Sequence, residues 1–302
     1  MLTSQRAPRP ASDAPADVVE PVSGLSELAR RYDLILCDVW GVLHDGVRGF
    51  GSAGDALTRF REGGGCVVLV SNAPRPGPVV AAQLDELGIP RDAYDRVVTS
   101  GDLTRAVVAA RGAEIVHHIG PARDLKLFEG LEARFGTVET AGYVVCTGLF
   151  DDETETAADY EAALRTMRER NLWMVCANPD IVVERGDRLI PCAGAIAAAY
   201  EDIGGRTYTG GKPHPPIYEA ALAQGADALG RTPDPARVLA IGDAIRTDVA
   251  GGRGFGLDVL MIARGIHAGE LGVGVSFDAA AAIAWLGGQA VRPTSIAEDL
   301  RW

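Results

Sequence analysis

Short apolar runs recur along the chain. Each closes in a small or acidic residue and leads into a stretch with helical periodicity. The clearest are DLILCDV, GCVVLVSNA, DRVVTS, AEIVHHIG, GYVVCTG, WMVCANPD, RVLAIGDA and DVLMIAR. They are hydrophobic almost throughout rather than at alternate positions, as expected of strands covered on both faces. Strands alternating with helices predict an α/β fold with a doubly wound, Rossmann-like parallel sheet. Local punctuation agrees with this. REGGG at 61–65 reads as a helix C-terminus. HPP at 214–216 stiffens the start of a helix, and GGRGFG at 251–256 is the tight turn into the next strand. His117 and His118 fall inside a strand-like run and read as structural.

Composition narrows the classes. With 302 residues, 47% hydrophobic and 23% charged, the chain can bury a full core and divide into two domains. A net charge of -12 argues against nucleic acid or an anionic membrane as a partner. No run of about 18 apolar residues marks a membrane span. The five cysteines, Cys37, Cys66, Cys146, Cys176 and Cys192, are widely spaced and mostly lie in strand-like runs. They read as buried thiols of a cytoplasmic protein. Residues 1–24, rich in Pro, Ala and Asp, are expected to be a disordered lead-in.

In an open parallel sheet, ligands bind beyond the carboxyl ends of the strands. Asp38 ends the first strand, Ser71 and Asn72 end the second, and Asp243 ends the seventh, with Lys212 in the intervening GGKPHPP. Each has an ordinary structural explanation as a turn former, a cap or a solvated side chain. Together, two carboxylates, a hydroxyl, an amide and a lysine make up the inventory of a magnesium-assisted phosphoryl site.

With these residues in place, the sequence resembles the haloacid dehalogenase superfamily of phosphohydrolases. The likeness is to the subclass of nucleotide, 4-nitrophenyl phosphate and pyridoxal phosphate phosphatases. DVWGVLHDG, LVSNAPRP, GGKPHPPIY and IGDAIRTDVAGGRGFG match its four motifs in order. CANPDIVVERGDRLIPCAGAIAAAYE resembles its cap. The resemblance implies an α/β cap inserted in the core: core at 25–103 and 206–287, cap at 104–205, and a C-terminal tail at 288–302. It implies Asp38 as the nucleophile forming an aspartyl-phosphate. Mg²⁺ would be held by Asp38, the backbone carbonyl of Trp40 and Asp243. Ser71, Asn72 and Lys212 would bind the phosphoryl group, with Asp248 behind Lys212 or metal-bound water. Cap residues Asn178, Pro179 and Asp180 are expected to touch the substrate, a small phosphorylated metabolite. Oligomerisation would run through the cap.

One position departs from the pattern. The family motif is Asp-x-Asp, whereas this chain has Asp38-Val39-Trp40. The second Asp is the general acid/base, and an indole N–H is a donor without useful acidity. Such a loss typically costs about 10²–10⁴-fold in rate. Three explanations compete. His44, in the loop past the nucleophile, could carry the proton. The enzyme could use good leaving groups or an acceptor that brings its own base. Or the pocket could be a non-catalytic recognition site, with Trp40 stacking on a ligand or packing against the cap.

Overall fold

The computed structural model describes residues 18–186, 188–274 and 277–302, so most of the expected lead-in, residues 1–17, lies outside the described residues. All eight strand-like runs are strands. The core sheet is wholly parallel, in the order β1 (Glu20–Pro21), β14 (Ser295–Ala297), β13 (Asp258–Ile262), β12 (Val238–Gly242), β2 (Leu34–Cys37), β3 (Cys66–Ser71) and β4 (Arg96–Thr99). Along β2, Ile35 and Cys37 point into one core layer and Leu34 and Leu36 into the other. Helices α1 (Gly51–Glu62) and α2 (Gly77–Glu86) cover the first face; α6 (Pro215–Leu229), α7 (Ala250–Gly254) and α8 (Ala279–Gly287) cover the second. This two-sided burial explains why the runs show no alternation.

The cap carries a second parallel sheet, ordered β11 (Arg206–Thr209), β8 (Trp173–Cys176), β7 (Tyr143–Cys146), β5 (Ile115–Ile119) and β6 (Arg134–Phe135). Helices α4 (Glu161–Glu169) and α5 (Ala193–Asp202) bury Leu164, Met167, Ile196 and Tyr200 against one face. A hairpin, β9 (Val182–Arg185) and β10 (Arg188–Pro191), stands apart from this sheet.

Four expected boundaries shift. Helix α3 (Ser100–Arg111) begins at β4 of the core and buries Val108 in the cap, so no division falls at 103. Strand β11 pairs with β8 of the cap, so the core resumes after 209 rather than at 206. The expected tail is part of the core. Ser295–Ala297 bridges β13 and β1, Leu300 is buried, and Val19 and Val22 of the expected lead-in are buried too. These edge strands are only two or three residues long, too short to show as hydrophobic runs. GGRGFG is also more regular than a turn, because its first residues complete α7.

Candidate active site

The core chain crosses from one side of β2 to the other between β4 and β12, so the strand order reverses between β2 and β12. Beyond their carboxyl ends lies a cleft of about 440 Å³, lined by core and cap residues together. Asp38, Ser71, Asn72, Lys212, Asp243 and Asp248 all line it.

Asp38 follows β2 and is 7% exposed. Its Oδ1 accepts from the Val39 N–H at 2.7 Å and lies 2.5 Å from Lys212 Nζ. Its Oδ2 has no partner among the described residues and is free for chemistry. Lys212 Nζ also lies 2.8 Å from Asp248 Oδ1. Asp248 Oδ2 accepts from the Ala244 N–H and the Thr247 hydroxyl at 3.2 and 3.3 Å, within a wide π-type turn spanning Ile245–Val249. Asp248 is thereby fixed through both oxygens. Asp243 uses only one, its Oδ2, accepting from the Ile266 N–H at 2.8 Å. Gly41 and Gly265, both with positive φ, press their backbones on this carboxylate; a Cβ on either would stand 2.2 Å from Oδ2. Only glycine permits that approach.

Asp38, Asp243 and Asp248 each offer an oxygen, all within 4.8 Å of one another. Three buried carboxylates against one ammonium leave an excess of negative charge. Burial, then Asp248, pushes the Asp38 carboxyl upward against the pull of Lys212. Burial, then Asp38 and Asp248, pushes Asp243 well up. Burial alone would lower Lys212, but Asp248 and Asp38 hold its ammonium well above the ordinary range. A hard divalent cation with oxygen ligands fits this donor set, because such an ion relieves the repulsion among the three clustered carboxylates.

Ser71 Oγ accepts from the Ala73 N–H at 3.1 Å, so its own O–H is available to donate. Asn72 joins three parts of the protein. Its Nδ2 donates to Asp180 Oδ1 in the cap at 2.8 Å and to the Lys212 carbonyl at 3.1 Å, and its Oδ1 accepts from the Lys212 N–H at 2.8 Å. Asn178 Oδ1 in turn accepts from the Asp180 N–H at 3.1 Å. Asn178 and Asp180 therefore line the cleft as a joint between cap and core. Pro179 does not line it and packs on Gly211 instead. Burial pushes the Asp180 carboxyl up to about 6 despite its bond from Asn72.

His44 is not placed to carry a proton. It is 1% exposed and absent from the cleft lining. Its Nδ1 accepts from the Gly46 N–H at 2.9 Å, and its ring meets Trp40 edge-on at 4.9 Å. Burial, helped by Arg75, lowers its pKa to about 4. A buried imidazole with one nitrogen already satisfied by a backbone N–H cannot serve the cleft. Trp40 does reach the cleft, and its indole lies on Gly46 and donates from Nε1 to the Glu184 carbonyl of the hairpin.

Sequence reasoning assigned no role to Arg75, Arg123, Asp124, Asp152 or Arg185, which also line the cleft. Asp152 holds Arg123 and Arg185 together. Arg75 offered a signal, being an arginine between two prolines, three residues past Asn72. The cap residues offered none, since isolated charged residues in a sequence do not show which of them reach a cleft.

Two family models match. One, a haloacid dehalogenase-like hydrolase, covers residues 35–134, and a second HAD-hydrolase-like model covers 209–302. A haloacid dehalogenase-like hydrolase from Brucella suis 1330 is 48% identical in sequence, with a TM-score of 0.82 over 92% of this chain and 99% of that one. The chain belongs to the haloacid dehalogenase-like hydrolases. Among its relatives is the D-glycerol 3-phosphate phosphatase of Mycobacterium tuberculosis, 27% identical over 92% of this chain and 72% of that protein. A structure of glycerol phosphate phosphatase from the same organism in complex with magnesium is 25% identical, with a TM-score of 0.66, over 90% of this chain and 76% of that one. Among the described residues no helix is long and apolar enough to cross a membrane.

Proposed function

We propose that the chain is a magnesium-dependent phosphatase acting on a small phosphate monoester through an aspartyl-phosphate on Asp38. The carrying observation is the asymmetry of Asp38, whose Oδ1 is held by Lys212 and the Val39 N–H while Oδ2 has no partner among the described residues, in a cluster that brings oxygens of Asp38, Asp243 and Asp248 within 4.8 Å of one another. Asp38, the Trp40 backbone carbonyl and Asp243 would hold Mg²⁺. When bound, the ion supplies charge neutralisation at the carboxylates and the phosphoryl oxygens.

The side chains divide the work. Lys212 and the Ser71 hydroxyl orient the phosphoryl group with charge-assisted hydrogen bonds, and Asp248 holds the Lys212 ammonium in place. Asp38 Oδ2 attacks phosphorus as the ester oxygen leaves, and water later cleaves the acyl phosphate. Trp40 assists neither proton transfer, and His44 is buried outside the cleft lining. Acidic leaving groups therefore favour the first step, and breakdown of the aspartyl-phosphate becomes slow.

The test is pre-steady-state hydrolysis of 4-nitrophenyl phosphate in Mg²⁺. The expected result is a burst of nitrophenol matching the enzyme concentration, with a hydroxylamine-labile label that Asp38→Asn loses. Turnover without a burst would place the slow step before the acyl phosphate. No nitrophenol from protein shown to bind Mg²⁺ would favour a non-catalytic recognition site.

A further inference from the structure

We propose that Arg75 is the receptor for a second anionic group, so that the substrate is a phosphate monoester carrying a carboxylate or a second phosphate elsewhere on its skeleton. The claim rests on the phosphatase reading only for the identity of the first phosphate.

Arg75 enters the cleft from the loop between β3 and α2. It is half-buried, and its guanidinium has no hydrogen-bond or ion-pair partner among the described residues. Its charged neighbours are Asp124, Arg123 and Arg185. The nearby carboxylates are already engaged, Asp152 between Arg123 and Arg185 and Asp124 with the Thr147 hydroxyl. Three guanidiniums thus face two carboxylates, and Arg75 is the one left over. Burial together with the two like charges pulls its pKa down, which marks a cation held where it is costly. Elsewhere in this protein arginines meet carboxylates directly, as Arg61 does Asp95 and Arg91 does Asp85. In the cleft that partner must come with the ligand. A guanidinium fork pairs with a planar carboxylate or a phosphate through two parallel N–H bonds, and it keeps its charge on burial even without a partner.

Lys212 and Arg75 then divide the anions of one ligand. Lys212, clamped by Asp38 and Asp248, belongs to the reacting phosphoryl group. Arg75 lies near the cap arginines, where the rest of the substrate extends. A neutral diol or sugar tail would leave this guanidinium unpaired in the closed cleft. A monoester with a second acid group would complete it.

The test is calorimetric binding of phosphonates, which cannot turn over, to the intact protein in Mg²⁺. Alkylphosphonates are compared with their ω-carboxy and ω-phosphono counterparts over a series of spacer lengths. The wild type is expected to bind at least one dianionic ligand about tenfold or more tighter than its alkyl match. The carboxy and phosphono arms distinguish which second anion fits. Arg75→Gln should bring that ratio close to one. Arg75→Lys should fall between the two, and it supplies the reading if the Gln variant does not fold. Equal binding of both ligand types by the wild type overturns the proposal, as does an undiminished ratio in a folded Arg75 variant. Dianion preference without aryl phosphate hydrolysis would leave the subsite standing and remove the phosphatase reading; hydrolysis without the preference would do the reverse.

Discussion

The indole N–H of Trp40 donates to the backbone carbonyl of Glu184 at 2.5 Å, joining the loop after Asp38 in the core to the β9–β10 hairpin of the cap. A backbone–backbone bond, from the Gly186 N–H to the Asp45 carbonyl at 3.3 Å, makes a second link between the same loop and hairpin. The residue standing where the sequence resemblance implies an acid/base is thus a tie across the cleft. Trp40→Phe keeps an aromatic ring beside Gly46 and His44 but loses the donor. Its hairpin should become more sensitive to trypsin at Arg185 and Arg188, and KM should rise about three- to tenfold with kcat nearly unchanged, as expected when uniform binding is lost. Unaltered cleavage and unaltered KM would mean the tie does nothing to the cap.

Asp243 and its neighbours strain the fold by mutual repulsion. Asp243→Asn removes one of three clustered charges, so in chelator the variant should be more stable than wild type by about 1–3 kcal/mol. Added Mg²⁺ should raise the wild-type melting temperature and leave that of the variant unmoved. A matching Mg²⁺ shift in both proteins would take Asp243 out of the metal site.

Asp180 gives a pH dependence of known sign. Its folded pKa, about 6, lies above the ordinary carboxylate value, so between roughly pH 4 and 6 the folded state holds a proton that the unfolded chain has released. That contribution is full below this window and is lost as pH rises through it. Asp180→Asn keeps an oxygen for Asn72 Nδ2 but has no charge to bury. Relative to wild type it should gain stability between pH 4 and 7, read from urea midpoints. A constant difference across that range would show that Asp180 is ionised without penalty.

His44 behaves in the opposite sense. Its folded pKa, near 4, lies below the free imidazole value, so between about pH 4 and 6.5 the unfolded chain binds the proton and the folded state does not. The contribution is present above that window and is lost on acidification. His44→Asn can still accept from the Gly46 N–H and should flatten the acid limb by roughly 1–3 kcal/mol. Its steady-state turnover of 4-nitrophenyl phosphate should keep the wild-type pH profile. A profile that loses a limb near neutrality would return His44 to the chemistry.

The sequence showed the core of the site because strand ends in a parallel sheet are punctuated. Asp38, Ser71 and Asp243 each follow an unbroken apolar run, and doubly wound topology brings such ends together whatever lies between. Lys212 is in no strand and was legible only through its motif. The joint at Asn72 and Asp180 was half legible: the turn stood out, but its attachment to the core depends on how the cap sits. His44 misled because a histidine's titration range says nothing of its burial. The strands at Glu20–Pro21 and Ser295–Ala297 carry too few apolar residues to be read without their sheet partners.

The place of β2 has a consequence for how the protein comes to exist. Leu34 pairs with Cys66 on one side and with Val238 on the other, and the second pairing closes a loop of roughly 200 residues. Within the described residues the cap strands pair only among themselves, inside that loop. A nascent chain can therefore complete the cap sheet while Asp38 still lacks Asp243 and Asp248. A cap that condenses first brings its two ends close and shortens the loop left to close. The cleft carboxylates then come together only after the cap is synthesised, and a partly synthesised chain can carry a finished lid with no site beneath it.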